Sequence, residues 1–319
     1  MKSIQQMKAE DSIQQFFLIK SADCKTAANG KKYLDFVLAD ATGEINGKLW
    51  ECNNGEESQY QPQLLVKVKG TVGEWQGKLQ LRVEKIRPAN DEDKVKVEDF
   101  VPVAPVSPEF MYGELEGYIS RIANPDILAI VRYLVDENKD KLLYYPAAKQ
   151  NHHSVRSGLL YHVTTMLKLG EKISQIYPLL NPDLLFAGII LHDLAKLAEM
   201  DAGDLGIVSQ YTVEGELLGH IIQGIKWIDR AAREVGAAEE VSILLQHMIL
   251  SHHYEPEFGS PKRPMIPEGE ILHYLDLMDA RMYDMGRVLQ GVEPGQLSDK
   301  VWLLHNRKLY KSKFNTEKE

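Results

Sequence analysis

Cysteine is almost missing from this 319-residue chain, which carries only Cys24 and Cys52. The pair lacks the spacing of a zinc site and is too sparse for a disulfide framework. Ligand chemistry therefore falls to nitrogen and oxygen. Long apolar runs are missing too. No stretch reaches the roughly 18 residues that a membrane span needs, and Met1-Lys2-Ser3-Ile4-Gln5-Gln6 holds no apolar signal core. A reduced, cytoplasmic protein without membrane contact is the expectation. Internal repeats are not visible, and positive charge is in deficit, with 37 Lys+Arg against 46 Asp+Glu. Spread evenly, that deficit would argue against a nucleic-acid partner, but it is not even. Residues 1–90 carry 13 Lys+Arg against 11 Asp+Glu, leaving 24 against 35 for the rest. Net charge is thus a weak discriminator here. With 44% apolar and 26% charged residues the composition is globular, and the length allows two domains.

What is present begins with strand-like alternation from Phe16 to about Arg87. The segments are Phe16-Phe17-Leu18-Ile19, Tyr33-Leu34-Asp35-Phe36-Val37-Leu38, Ile45-Asn46-Gly47-Lys48-Leu49-Trp50, Leu64 to Val72, and Leu79-Gln80-Leu81-Arg82-Val83. Turn signals at Asn29-Gly30, Asp40-Ala41-Thr42-Gly43 and Gln76-Gly77 separate them. This spacing predicts a small N-terminal all-β barrel of the OB type over residues 1–90. Such barrels hold single strands on aromatics and cations. Tyr33, Phe36 and Trp50 are the substrate-binding candidates, with Lys31, Lys32, Lys48, Trp75 and Lys78 beside them. An aromatic in so small a barrel is more often core than platform, and an outward Lys is usually just solvated.

Residues 91–109 read as a Pro-rich linker, because Val101-Pro102-Val103-Ala104-Pro105-Val106-Ser107-Pro108 suits neither helix nor central strand. From Glu109 the period turns helical, over about 109–122, 125–139, 154–175, 182–200, 214–235, 237–253 and 268–290. An all-α domain is expected over 110–295. Residues 296–319 form a basic C-terminal tail, in which Asn306-Arg307-Lys308-Leu309-Tyr310-Lys311-Ser312-Lys313-Phe314 is expected to fray at the surface. Contact with a nucleic-acid backbone is the second reading of that tail.

The chain is organised around His192-Asp193-Leu194-Ala195-Lys196, which closes the apolar run Leu184 to Leu191. An imidazole and a carboxylate at the end of such a run are costly to bury uncompensated. A divalent ion compensates both. Lys196 lies one helical turn after His192, placed to meet a phosphate held there. Other helical segments supply His162, His220, the pair His252-His253, and Asp276 in an otherwise apolar helix. Each alone is more often a satisfied core histidine or a solvated acid. Together they would need to face one core by accident, whereas convergence on metal explains them all. Nitrogen and oxygen ligands without thiolate suit two divalent ions, such as manganese, cobalt, iron or magnesium, about 3.5–4 Å apart. Asp193 is the natural bridge. His247, His273 and Asp279 either orient a ligand from behind or are plain structure. His152, His153 and Arg156 either clamp a phosphate or serve as surface and capping residues.

The order His162, His192-Asp193, His220, His252-His253, Asp276, with Lys196 after the His-Asp pair, resembles the HD-superfamily metal-dependent phosphohydrolases. With the OB-like domain in front, the chain resembles the YhaM-type bacterial 3′–5′ exoribonucleases. Asn151-His152-His153, Gly158-Leu159-Leu160-Tyr161-His162, Gly215 to His220 and His247 to His253 carry that likeness. The resemblance implies a helical HD domain, dependence on a divalent metal (manganese typical), single-strand binding by the barrel and release of nucleoside monophosphates from a 3′ end. The related HD-GYP phosphodiesterases carry a glutamate four residues before the first His and a GYP triplet. Here Gly158 and Glu257-Phe258-Gly259-Ser260-Pro261 stand instead, against a third metal and cyclic-dinucleotide specificity.

The expected function is a metal-dependent 3′–5′ exoribonuclease that hydrolyses single-stranded RNA, with single-stranded DNA as a further substrate, to nucleoside 5′-monophosphates. Asp193 and Lys196 are the expected catalytic residues, Lys196 as an electrostatic stabiliser and not a base. The alternatives are a nucleotide phosphohydrolase acting on mononucleotides and a nucleic-acid-binding accessory protein with an inactive HD site. A homo-oligomer is left open.

Overall fold

The computed structural model describes residues 2–27, 30–50, 56–149 and 153–314, so Asn29, Cys52 and His152 lie outside the described residues. The chain divides into two compact units, Met1–Val103 and Ala104–Glu319.

Five strands build the first unit: β1 (Ser12–Thr26), β2 (Lys32–Asp40), β3 (Gly43–Trp50), β4 (Leu65–Trp75) and β5 (Lys78–Pro88). They close in the order β1-β2-β3-β5-β4. The β3–β5 pair is parallel and the other pairs are antiparallel. This is the predicted OB-type barrel. Strand parity assigns the faces. Leu34, Phe36 and Leu38 of β2 point inward and pack with Phe17, Val68 and Leu81, whereas Tyr33, Asp35 and Val37 between them are only partly buried. The β2–β3 turn is fixed by Asp40, whose Oδ1 accepts from the amides of Thr42 at 2.7 Å and Gly43 at 3.1 Å.

The stretch read as a linker begins with folded chain. Asn90 caps a short 3₁₀ turn, Asp91–Asp93, in a reciprocal capping box. Arg87 donates two hydrogen bonds, both 2.7 Å, to Asp93. A second 3₁₀ turn, Val97–Asp99, follows, and Phe100 and Val101 are buried. Asp91–Asp93 is therefore a capped, ion-paired turn at the surface.

The second unit is helical: α1 (Pro108–Ile119), α2 (Pro125–Leu142), α3 (Gly158–Ile176), α4 (Pro182–Leu191), α5 (Lys196–Glu199), α6 (Val213–Val235), α7 (Glu239–Ser251) and α8 (Pro267–Gln290). Ser107, Asn124 and Asn181 cap α1, α2 and α4 through their side chains, each followed by Pro in the first turn. Between α5 and α6 runs a short hairpin, β6 (Met200–Ala202) with β7 (Val208–Tyr211), which the sequence did not announce. The single helix expected over 182–200 is broken: α4 stops at Leu191, a turn carries His192 to Ala195, and α5 begins at Lys196. Leu185 through Leu191 are all buried, and α2, α3, α7 and α8 pack around α4. A helix apolar on every side belongs at the centre of a bundle, and here it delivers His192 and Asp193 to the core.

Over residues 296–314 the C-terminal segment does not fray. Antiparallel bridges Leu297↔Tyr310 and Val301↔Arg307 hold a ribbon whose Leu304 and Leu309 are buried. Those two leucines give the tail an anchor that a basic composition alone conceals.

Candidate metal centre

Asp193 is the hub. Its Oδ2 lies 3.4 Å from His192 Nε2 and 2.7 Å from Lys196 Nζ, while its Oδ1 lies 3.4 Å from His220 Nε2 and 4.0 Å from His252 Nε2. The two oxygens thus face different histidines. On one side, ligating atoms of His162, His192 and Asp193 lie within 4.8 Å of one another, and Asp276 Oδ1 is 3.3 Å from His162 Nε2. On the other side, atoms of His220, His252 and His253 lie within the same distance of one another. All seven residues expected as ligands are brought together.

Local structure aims the rings. His192 Nδ1 donates to the Ile189 carbonyl at 2.8 Å, His252 Nδ1 to Ile249 at 2.7 Å, and His253 Nδ1 to Phe258 at 2.6 Å. A carbonyl only accepts, so the proton sits on Nδ1 and the lone pair on Nε2. His220 Nδ1 faces Glu199 Oε1 at 3.1 Å, and the same oxygen accepts the His220 amide at 3.0 Å. Gly219 makes that amide available: its φ of +66° interrupts α6, a left-handed setting that a side chain resists.

Four of these buried polar atoms have no hydrogen-bond partner among the described residues: His192 Nε2, Asp193 Oδ1, His220 Nε2 and His252 Nε2. Buried polar groups are almost always satisfied. Convergent orphan lone pairs on nitrogen and oxygen are the donor set of a divalent-metal site, so the residues fit such an ion. Burial drives the His252 and His253 imidazoles well below and below their ordinary pKa, respectively, which keeps them neutral for ligation. Burial works against the Asp193 carboxylate, yet Lys196 and His192 hold its pKa well below the usual range. Desolvation would lower the Lys196 pKa, and Asp193 raises it instead.

His153, Asp279 and His162 also form a close group, but as a hydrogen-bonded chain. Asp279 Oδ2 meets His162 Nδ1 at 2.6 Å and His153 Nε2 at 2.8 Å, and the His153 ring lies 3.9 Å from that of Tyr283. These short bonds engage the carboxylate oxygen, so Asp279 orients His162 from behind. The phosphate-clamp reading of His153 is corrected: the residue is 1% exposed and faces Asp279. Arg156 is half-buried and donates to the Asp204 carbonyl at 3.1 Å. His273 supports His252 through the main chain, its Nδ1 facing the His252 carbonyl at 2.8 Å. His247 Nε2 accepts from the Met265 amide at 2.8 Å and so pins the loop before α8, not a ligand. Sequence reasoning missed Glu199, Tyr283 and Ser260, whose Oγ accepts the His253 amide at 3.0 Å. Of these only Glu199 left a trace, in the glycine immediately before His220.

Gly158 explains the departure noted above. A Cβ there would stand 1.9 Å from the His153 carbonyl oxygen, so the backbone admits no glutamate at this position.

On the barrel, Tyr33 and Trp50 stack with centroids 4.7 Å apart, and Lys48 Nζ lies 5.3 and 5.7 Å from the two rings. Trp50 is 45% exposed and, with Lys48, lines an open groove shared with Thr71, Trp75, Gln80 and Arg82. Phe36 is corrected: it is 0% exposed and meets the Tyr60 ring edge-on inside the barrel. It cannot stack on a base.

A helical unit that gathers histidines and aspartates at the end of its central helix, behind a five-strand barrel, is the HD-plus-OB class of protein. The HD domain family model matches residues 159–281, and the OB-fold nucleic acid binding domain model matches residues 19–89. The chain is 43% identical over 315 residues to the 3′-5′ exoribonuclease YhaM of Geobacillus sp. (strain WCH70), covering 99% of this chain and 96% of that one. It is 42% identical over 314 residues to the 3′-5′ exoribonuclease YhaM of Bacillus subtilis (strain 168), covering 98% and 99%. The second OB-fold domain of replication protein A from Methanococcus maripaludis, a solved structure, is 20% identical over 28% of this chain and 93% of its own, with a TM-score of 0.24. This chain belongs to the YhaM family of 3′-5′ exoribonucleases.

Proposed function

We propose that this protein is a metal-dependent 3′–5′ exoribonuclease that shortens single-stranded RNA and releases nucleoside 5′-monophosphates. The observation that carries the reading is the pair of Asp193 oxygens directed at separate histidine groups, 3.4 Å from His192 and 3.4 Å from His220. His162, His192, Asp193 and Asp276 would hold one divalent ion, and Asp193, His220, His252 and His253 the other. Manganese is the first choice for both. When bound, the ions supply Lewis-acid polarisation of a phosphate and lower the pKa of water.

The chain's own residues do the rest. The main-chain carbonyls behind His192, His252 and His253 keep each Nε2 lone pair directed inward before any ion arrives. Asp279 does the same for His162, and Glu199 for His220. Lys196, 2.7 Å from Asp193 Oδ2, keeps a fixed positive charge beside the pocket. That charge is worth most where charge builds on a reacting phosphate in a site screened from water. Tyr33, Trp50 and Lys48 on the barrel offer a stacking face with a cation over it, which suits a strand of any sequence.

Chromatography of the products formed from 5′-labelled and from uniformly labelled single-stranded RNA tests the reading. Stepwise shortening from the 3′ end with release of 5′-monophosphates is the expected result. Turnover of free mononucleotides alone would make the protein a nucleotide phosphohydrolase, and binding without cleavage would make it an accessory protein. Lys196→Ala should lower turnover about 100-fold, the scale of a lost electrostatic stabiliser, with metal content measured by mass spectrometry unchanged. Loss of metal as well would assign Lys196 to holding the site together.

A further inference from the structure

The segment after α8 is built with more care than a tail requires. The Gly295 amide bonds to the Lys311 carbonyl at 2.7 Å, Lys311 to Gln296 at 3.0 Å, Ser298 to Leu309 at 2.8 Å, and Val301 to Arg307 at 2.9 Å. A 3₁₀ turn, Trp302–Leu304, forms the tip, and His305 and Asn306 leave it with φ of +58° and +56°. Two successive left-handed residues other than glycine are costly, so the ribbon's shape is held against local preference. Leu304 and Leu309 anchor it, and the tip packs on α8.

What the ribbon shows to solvent is unlike the rest of its unit. Trp302 is 78%, Tyr310 56% and Phe314 96% exposed. Within residues 296–314 stand Lys300, Arg307, Lys308, Lys311 and Lys313 against Asp299 alone, whereas residues 104–319 as a whole carry 22 Lys+Arg and 30 Asp+Glu. Among the described residues, none of those five cations pairs with a carboxylate. The ribbon also touches the helix that carries Asp276: His305 Nε2 lies 3.5 Å from Arg281 Nη2. Arg281 follows Asp276 by five positions, about 7–8 Å along the helix axis and about 140° around it, on the exposed side of the same helix.

We propose that this ribbon is a second single-strand-binding surface, on the helical unit itself, gripping RNA next to the metal centre. The inference rests on the RNA-degrading function proposed above. Exposed aromatics offer faces for bases, and unpaired cations between them offer charge for phosphates. A partner docking by the aromatics alone would leave five cations without counter-charge, which a polyanionic strand supplies. A strand meets both needs together. The grip keeps a shortened strand in place between cuts, so it raises the number of nucleotides removed per encounter.

Two full-length variants test this, Trp302→Ala with Tyr310→Ala, and Arg307→Glu with Lys308→Glu, each first checked for an unchanged melting profile. Binding of a nuclease-resistant phosphorothioate 15-mer to the metal-loaded protein is measured by fluorescence anisotropy over a range of salt. Each variant should bind about tenfold more weakly, and the charge variant should show a flatter salt dependence by about one to two counterions. Fewer nucleotides should be removed per binding event, while hydrolysis of bis(p-nitrophenyl) phosphate changes far less than strand affinity. Affinity within twofold of the parent for both variants overturns the proposal. So does a shift in sedimentation coefficient at unchanged RNA affinity, which would give the surface to a second copy of this chain. A parent protein that binds RNA but never shortens it overturns the proposed function and leaves the ribbon's binding still measurable.

Discussion

His162 lies between two carboxylates, with Nε2 3.3 Å from Asp276 and Nδ1 2.6 Å from Asp279. Burial alone would lower its pKa, but the hydrogen bonds and charges of those two acids outweigh it and raise the value to about 9 in the metal-free protein. Below that pH the ring carries both protons. A ligand needs its Nε2 lone pair, so loading the site must expel a proton. Calorimetric titration with manganese at pH 7, in buffers of different ionisation enthalpy, should therefore show release of close to one proton. The release should vanish above about pH 10, and apparent affinity should rise with pH up to about 9. Asp279→Asn should weaken metal binding by 10- to 100-fold, the usual effect of losing the group behind a ligand. Release that persists undiminished in His162→Gln would assign the proton elsewhere. At this scale the sequence was legible in part. His162 and Asp276 could be read as ligands because each is too costly to bury alone, whereas Asp279 and His153 carry the same residue types at similar spacing. Nothing in their order separates a ligand from the group behind it, since that depends on which face of α8 meets α3.

Strands and helices were more legible, because periodicity reports facing. Phe36 shares parity with Leu34 and Leu38, and Tyr33 with Asp35, a signal that naming Phe36 beside Tyr33 as a binding candidate overlooked. The consequence is a contrast between two aromatics. Phe36→Ala should cost the barrel about 3–5 kcal/mol of stability, read by denaturant unfolding. Trp50→Ala should leave the unfolding midpoint nearly unchanged and weaken single-strand binding by about 1–3 kcal/mol. A Trp50 variant that unfolds early would make that ring structural. Where periodicity failed, two features were responsible. The break after Leu191 was missed because His192 and Asp193 read as ligands on a continuous helix, and Leu194, Ala195 and Leu197 beyond them resume the apolar pattern. The ribbon's two buried leucines are too few to register as a pattern, so a basic stretch read as frayed.

For the molecule as a whole, the two units have separate hydrophobic cores, one around Phe17, Phe36 and Leu81 and the other around Leu159, Leu185 and Leu275. Each can therefore be tested apart. Removing residues 1–103 should weaken binding of long single strands at least tenfold, by loss of the stacking face. Hydrolysis of a small phosphodiester should fall much less, and equal losses would argue against the barrel as a substrate holder.

On the proposed ligand set, one carboxylate is common property of both ion positions, and this limits how such a site can drift under mutation. With that set, replacing Asp193 would empty both positions in a single step, leaving selection no intermediate to retain. His253 stands at the margin, partly exposed and grouped with His220 and His252. A descendant working with a single ion would therefore be reached by erosion from the His220–His253 end, with Asp193 the last member to change.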